Sequence, residues 1–242
     1  MFAKEIEVYI VEISYVLTYL LTIAYFAGLY FGLGSVFLGA CRVLEGWGML
    51  NKVQPKEQKK ELQRIEMERS TMSILVFGLS GLFMVFLVKN GFVHFRENNL
   101  MNILGSLLIL TAWNEVHFYL IHRLLHQKWL FRKVHQVHHQ SKIPSVFSVY
   151  SFHWLEALLL STVPFFIITW IDMPIIGIVL FPVVSILFNF SGHCNYRIGT
   201  GTGQVWFLFG TRHSNHHYKN KGGYGFITST LDWLLQTTNK HS

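Results

Sequence analysis

Charged residues are scarce in this chain of 242 residues. Asp, Glu, Lys and Arg together make up 14% of it, and hydrophobic residues make up 51%. Water-soluble domains carry about a quarter charged residues, so the composition excludes a disordered chain and argues against a soluble domain. Cysteine is also rare. Cys41 and Cys194 are far apart in the sequence and form no CxxC pair, which excludes a disulfide framework and a zinc ribbon.

Cofactor motifs are missing as well. The glycines in residues 32–39 lie inside an apolar segment, and residues 199–203 lack the lysine of a P-loop, so neither predicts a nucleotide site. The sequence contains no haem-attachment motif, no set of iron–sulfur cysteines and no HExxH of a zinc protease. We therefore expect no bound nucleotide and no haem.

Five apolar stretches are long enough to be membrane spans, since about 20 helical residues cross the hydrocarbon core. They are residues 14–40, 72–88, 100–121, 154–171 and 175–190. The second and the fifth are near the lower length limit. The pattern predicts an all-α polytopic membrane protein with four to five transmembrane helices.

Basic residues are distributed unevenly between the loops. If the five stretches alternate in direction, only Lys4, Lys89 and Arg96 lie on one side, and the other 17 of the 20 Lys and Arg residues lie opposite. Basic loops stay in the cytoplasm. We therefore predict a multi-pass protein of the endoplasmic reticulum or bacterial inner membrane, with an external N terminus and a cytoplasmic helical cap. The net charge of +7 then reflects topology, and no nucleic-acid partner is expected.

Residues 51–69 form a strongly charged linker. Glu61 with Arg64 and Glu66 with Arg69 are three residues apart, which fits a helix lying on the membrane surface. A solvated connector with no chemical role is the simpler interpretation. We assign this linker to an N-terminal transmembrane region, residues 1–99, and the remainder, residues 100–242, to a catalytic domain.

Histidine is the residue type in excess, with 13 copies. One HxxxH motif and two HxxHH motifs contain eight of them: His122, His126, His135, His138, His139, His213, His216 and His217. Residues three and four apart share a helix face, so each motif is expected to present its imidazoles to one point. Neutral imidazole binds iron, zinc, copper or nickel. The motifs therefore predict a metal site on the predicted cytoplasmic side.

A ninth candidate ligand is His193, at the inner end of the fifth stretch. Nine histidines are too many for one tetrahedral zinc, which takes four ligands, and a haem uses only one or two axial ligands. Two metal ions fit the count. His117 and His153 are left out of the ligand set.

Ligating histidines usually donate their second ring nitrogen to a carboxylate or a carbonyl. Four side chains are candidates for supporting the ligands: Glu115, Glu156, Asn189 and Asp232. Glu115 precedes His122 by seven residues, about two helical turns. A helix cap or an ion pair explains Asp232 equally well, and a helix-packing hydrogen bond is the ordinary explanation for Asn189.

At these histidines the chain resembles the fatty acid hydroxylase and sterol desaturase superfamily of integral-membrane di-iron enzymes. The resemblance covers residues 113–237, about half of the sequence, and rests on the three histidine motifs. Two positions depart from the pattern. Relatives with ten histidine ligands carry an HxxxH where this chain has Asn189 and His193, and Trp154 replaces the usual proline after His153. The identity of a tenth ligand is thereby open.

The resemblance implies a membrane oxidoreductase that uses two iron ions, O2 and external electrons to hydroxylate a C–H bond of a fatty acyl or sterol-like lipid. Zinc can take the place of iron during expression or purification, because it binds imidazole sites readily. The electron donor implied is a cytochrome b5 or ferredoxin system. Lys128, Arg132 and Lys133 are suited to binding an acidic donor, although anchoring to anionic lipid explains them equally well.

Three alternatives remain at this point. Desaturation by the same site yields a product lighter by two hydrogens, whereas hydroxylation adds one oxygen. A metal transporter should hold its ligands near the bilayer midplane, and a membrane zinc hydrolase would work without oxygen. Residues 146–152 and 206–209 are rich in aromatic and aliphatic side chains and are candidates for lining an acyl or sterol pocket.

Overall fold

The computed structural model describes residues 8–56, 58–198 and 211–238, which are mostly helical. In this part of the chain, four helices are long and apolar enough to cross a membrane. They are the continuous helix Tyr15–Gly46, α3 (Lys60–Lys89), α4 (Leu100–Leu125) and α8 (Ile175–His193). The first consists of α1 (Tyr15–Ala27), a π-helical segment (Gly28–Leu33) and α2 (Gly34–Gly46). The predicted all-α polytopic membrane protein is confirmed.

Shorter elements connect these helices. In chain order they are β1 (Leu50–Lys52), β2 (Phe95–Arg96), α5 (Lys128–Lys133), the 3-10 segments His135–Gln140 and Val146–Ser148, α6 (Trp154–Ser161), α7 (Val163–Ile168), β3 (Met173–Pro174), β4 (Tyr196–Ile198), α9 (Thr211–Lys219) and α10 (Thr230–Leu234). Local capping sets where two long helices begin. The Ser14 side chain accepts a hydrogen bond from the Leu17 N–H, and the Asn99 side chain accepts one from the Asn102 N–H.

Small residues let the long helices approach one another closely. A Cβ atom on Gly81 of α3 would collide with the Thr22 hydroxyl of α1, and one on Gly177 of α8 would collide with the Ser106 hydroxyl of α4. Close packing of this kind holds membrane helices together, because lipid provides no hydrophobic force between them. The α1–α3 and α4–α8 pairs are therefore built around these contacts.

Within the described residues, the chain passes through the bundle five times. β2 pairs with β3, with Phe95 opposite Met173, so α4 and α8 start at the same end of the bundle. β1 pairs with β4, with Leu50 opposite Ile198, at the other end, where the histidines lie. The fourth passage is not the single span predicted over residues 154–171. It consists of α6 and α7, because Pro164 in the first turn of α7 lacks the N–H that would extend α6.

The charged linker is not a solvated connector. Its second half is the beginning of α3, and Glu66 is fully buried there. Arg64 donates to Glu68 at 3.0 Å, an i to i+4 pair, and the Arg69 charge acts on Glu66, as the i to i+3 spacing predicted. Arg69 donates to the Val137 carbonyl at 3.3 Å. The start of α3 therefore packs against the segment that carries His135, His138 and His139.

Candidate metal centre

All nine histidines predicted as ligands lie together at one end of the bundle. They form two groups, and within each group the candidate ligand atoms lie within 4.8 Å of one another. The first group contains His122, His126, His135, His139 and His216, and the second contains His138, His193, His213 and His217. Only His126 and His213 are partly exposed, and the other seven are buried. The arrangement has room for two adjacent metal positions, one with five imidazoles and one with four.

Each HxxHH motif contributes to both groups. In the 3-10 segment His135–Gln140, the outer two histidines join the first group and His138 joins the second. In α9 the outer two histidines join the second group and His216 joins the first. This differs from the expectation that each motif presents all its imidazoles to one point. The two motifs interlock, and each bridges the two metal positions.

The Nε2 atoms face one another inside each group. Their separations are 3.1 Å for His126–His216, 3.1 Å for His135–His139, 3.1 Å for His193–His213 and 3.0 Å for His213–His217. Two nitrogens bound to one ion at about 2.1 Å are about 3.0 to 3.4 Å apart at octahedral or tetrahedral angles. Bare nitrogen lone pairs at this spacing repel, whereas a shared cation would hold them together. The residues present therefore fit a metal ion in each group.

Four of the imidazoles are oriented through Nδ1. His135 bonds the Glu156 carboxylate at 2.8 Å. The other three bond backbone carbonyls: His216 bonds Gly222 at 2.7 Å, His193 bonds Asn189 at 2.9 Å and His122 bonds Tyr224 at 3.0 Å. An Nδ1 partner fixes the ring and leaves Nε2 free for a metal. Sequence reasoning singled out Glu156 but missed the Gly222 and Tyr224 carbonyls, since carbonyls carry no residue-type signal.

Two further acids hold the loop that supplies these carbonyls. Asp232 accepts hydrogen bonds from the N–H groups of Tyr224 and Gly225, both at 2.8 Å. Glu115 accepts one from the Ile227 N–H at 2.8 Å. Neither acid bonds a histidine among the described residues. Both acids therefore support the histidines by holding this loop.

Burial keeps the imidazoles outside the membrane-spanning helices neutral. It lowers the pKa of His216 to about 4 and the pKa of His126 to about 3. It also holds the pKa of His138 well below its usual range. A metal ligand must be deprotonated to offer its lone pair, so these side chains are in the required state at neutral pH.

Two cavities lie near this end of the bundle, and the smaller one borders the histidines. The larger, about 510 Å³, lies inside the helical bundle and is lined mainly by apolar side chains. The smaller, about 10 Å³, borders five of the nine histidines and is close to the size that one water molecule needs. Both are bordered by Phe118, Phe152, Leu160 and Asn189. A lipid chain in the larger cavity would therefore end beside the histidines.

The structure also shows where the remaining predicted residues lie. The Asn189 amide donates to the Ser185 carbonyl of its own helix at 3.2 Å. His117 and His153, which were left out of the ligand set, belong to neither histidine group. Of the two expected pocket segments, residues 146–152 contribute Tyr150 and Phe152 to the large cavity, and residues 206–209 lie outside the described part of the chain.

These features define a polytopic membrane protein with a candidate two-metal centre at one end of its helical bundle. The family model described as fatty acid hydroxylase matches residues 107–237. The match covers more than half of the chain, which therefore belongs to this family.

Several curated proteins are similar to this chain. Methylsterol monooxygenase 2-2 of Arabidopsis thaliana is 28% identical over 53% of this chain and 55% of its own length. Methylsterol monooxygenase 1 of Rattus norvegicus is 30% identical over 54% of this chain and 43% of its own length. The very-long-chain aldehyde decarbonylase GL1-11 of Oryza sativa subsp. indica is 28% identical over 56% of this chain and 53% of its own length. The chain spans about half the length of these relatives. No solved structure matches it.

Proposed function

We propose that this protein is a membrane-bound di-iron oxidoreductase that hydroxylates a C–H bond of a fatty acyl or sterol-like lipid. The observation that carries the proposal is that histidines of both groups border a small cavity, which shares four lining residues with the large apolar cavity. The methylsterol monooxygenases among its relatives support oxygen insertion into a lipid. In the overall reaction a C–H bond, O2, two electrons and two protons give C–OH and water.

The chain's own residues would hold the metals and position the lipid. The first histidine group would hold one iron and the second group the other, and a pair of irons supplies the reductive activation of dioxygen. The apolar wall of the large cavity would shield a bound lipid from water, and Phe118 and Phe152 would direct the lipid towards the histidines. The Glu156 carboxylate holds the His135 ring in place by a hydrogen bond to the ring's Nδ1.

The alternatives are less well supported by this geometry. A transporter needs its ligands near the bilayer midplane, whereas most of the nine histidines lie beyond the ends of the membrane-spanning helices. A catalytic zinc takes three protein ligands and a water, so most of the nine imidazoles would then have no role. Desaturation uses the same site, so product mass decides between it and hydroxylation.

The main experiment combines metal analysis with oxygen-dependent turnover. Protein purified without chelators and loaded with iron should contain two iron atoms per chain. Given a reductant, O2 and a lipid mixture, it should yield products heavier by one oxygen. One metal atom per chain, or equal turnover under nitrogen, would exclude the di-iron proposal. Zinc in the purified protein would not exclude it, because zinc binds imidazole readily.

Histidine variants test the ligand assignment directly. His138→Ala and His216→Ala should each reduce metal content and abolish turnover while leaving membrane insertion intact, because each removes an imidazole from a different group. His94→Ala is the matched control, since His94 is exposed near β2 at the opposite end of the bundle. Full turnover in both ligand variants would contradict the assignment.

We further propose that an acidic cytochrome b5 or ferredoxin delivers electrons at α5. Lys128, Arg132 and Lys133 are exposed there. On the same helix, the Phe131 ring centroid lies 5.2 Å from that of His126. Charge reversal of the three basic residues should slow turnover with the protein donor and leave turnover with dithionite unchanged. Equal slowing with both reductants would contradict the docking proposal and leave lipid anchoring as the role of these charges.

The histidine end is proposed to face the cytoplasm, because most of the basic residues lie there. Both native cysteines are buried, so a Gln136→Cys variant offers a single exposed thiol next to the histidines. A membrane-impermeant maleimide should label this thiol in inside-out vesicles and not in sealed cells. Labelling in sealed cells would reverse the orientation.

A further inference from the structure

Most polar side chains around the large cavity are occupied by their own helices. The hydroxyls of Thr18, Thr22, Ser80 and Ser161 donate to the carbonyls of Ser14, Thr18, Phe77 and Leu158 at 3.0, 2.8, 2.6 and 2.8 Å. Each bond spans three or four residues of one helix. These groups therefore offer little to a ligand.

Asn114 is different. It lies in α4, is 6% exposed and lines the large cavity. Among the described residues, its side-chain amide has no hydrogen-bond partner. A buried amide without a partner destabilises a protein, and a polar side chain facing the interior of a membrane bundle marks a functional position. An atom of a bound molecule is the natural partner for this amide.

Tyr150 is the obvious competitor, because its hydroxyl also lines the cavity without a partner among the described residues. Its burial has a separate explanation, however. The Tyr150 ring stacks on Tyr30 with centroids 5.7 Å apart and meets the edge of Phe77 at 4.9 Å. Asn114 has no comparable apolar surface to bury, so packing does not account for its position.

The position of Asn114 along α4 sets how far a group bound to its amide lies from the histidines. It precedes His122 by eight residues, which is about 12 Å along the helix axis. A ligand group bound to the amide therefore lies well away from the histidines. The rest of the same molecule extends through the apolar cavity towards Phe118 and Phe152.

We infer that the large cavity binds a lipid carrying a hydroxyl or carbonyl oxygen, and that the Asn114 amide hydrogen-bonds this oxygen. An amide both donates and accepts, so it serves either oxygen type. Asn114 is thus a specificity-determining residue, which selects lipids that place an oxygen atom at this position in the cavity. The inference rests on the proposed function in one respect: it assumes that the bound lipid reacts at the two histidine groups. The binding of the lipid itself does not depend on that function.

Equilibrium binding without O2 or reductant tests this inference separately from catalysis. The probes are two matched pairs in detergent solution: hexadecan-1-ol with hexadecane, and cholesterol with cholestane. The pairs distinguish an extended chain from a fused-ring lipid, and each isolates the effect of one hydroxyl. The wild-type protein should bind the alcohol of at least one pair about tenfold more tightly than its hydrocarbon.

Three variants locate the contact. Asn114→Leu should reduce the alcohol preference to within about twofold and leave the Kd of the hydrocarbon unchanged, which shows that the cavity is intact. Ser80→Ala, which removes a hydroxyl already bonded to its own helix, should keep the preference. Tyr150→Phe should keep it as well.

The inference is overturned if the wild-type protein shows no alcohol preference in either pair, or if Asn114→Leu retains the preference. Loss of the preference in Tyr150→Phe alone assigns the contact to Tyr150 and overturns the role of Asn114. Failure of oxygen-dependent turnover would contradict the proposed function and would leave these Kd values unaffected.

Discussion

Replacing Glu66 should destabilise the protein and empty the metal centre, although Glu66 lies outside the family match and touches none of the nine histidines. Its Oε1 accepts hydrogen bonds from the Ser141 hydroxyl and the Gln58 amide, and its Oε2 accepts one from the Ser145 hydroxyl. Ser141 directly follows the segment His135–Gln140. The buried carboxylate therefore ties α3 to one end of the segment that carries three histidines.

The size of the effect follows from these bonds. Glu66→Ala leaves three neutral polar groups without their acceptor, and each buried polar group left unsatisfied costs about 1–3 kcal/mol, so the variant should lose at least about 3 kcal/mol. Glu66→Gln keeps one carbonyl acceptor and should cost about 1–2 kcal/mol. Glu68→Ala is the matched control, because Glu68 pairs with Arg64 on an exposed surface and such pairs contribute about 0–1 kcal/mol.

The assay is thermal unfolding in detergent together with metal content per chain. The Tm should fall in the order wild type, Glu66→Gln and Glu66→Ala, and metal content should fall in the same order. Glu68→Ala should match the wild type in both measurements. A Glu66→Ala protein with the Tm and metal content of Glu68→Ala would refute the idea that α3 holds the histidine segment.

Three further predictions concern the groups around the histidines. Glu156→Ala should weaken metal binding about 10–100-fold in a chelator competition assay, because His135 loses its orienting carboxylate; unchanged affinity would contradict this role. Gly225→Ala should lower both Tm and metal content, since its Cβ would collide with the Thr228 carbonyl in the loop that Asp232 holds; a wild-type melting curve would argue against it. The metal-free protein should lose stability as the pH falls below about 6.5, the pKa of unfolded histidine. Burial lowers the pKa of folded His216 to about 4, so the unfolded chain binds more protons below pH 6.5, and each such imidazole costs up to about 1.4 kcal/mol per pH unit. A Tm that rises on acidification from pH 7 to pH 5 would contradict the sign.

The sequence predicted the architecture well where a single residue type carries the signal. Apolar length indicated four to five spans, and the four long helices agree. The grouping of nine histidines was predictable because imidazoles at motif spacing are rare without a common purpose. Glu156 was identifiable as a buried acid in a chain with few charges, and it bonds His135.

Other features depend on contacts that no local pattern contains. The sequence pattern predicted that Glu66 and Arg69 lie together on an exposed helix surface. Glu66 is buried instead, where it accepts hydrogen bonds from Ser141 and Ser145, which follow about 75 residues later. The carbonyls of Gly222 and Tyr224 act through their geometry and not through their side chains. The split of each HxxHH motif between two groups likewise follows from how two segments meet in space.

The interlocked motifs also set an order of events during biosynthesis. Neither histidine group is complete without α9, which follows the four long helices and the α6–α7 pair in the described part of the chain. A nascent protein therefore has to insert its whole bundle before any ion can find a full coordination sphere. Glu115 and Asp232 hold the loop whose carbonyls orient His122 and His216, and these contacts form at the same late stage. The two candidate metal positions should therefore fill in close succession after the ribosome has finished this region.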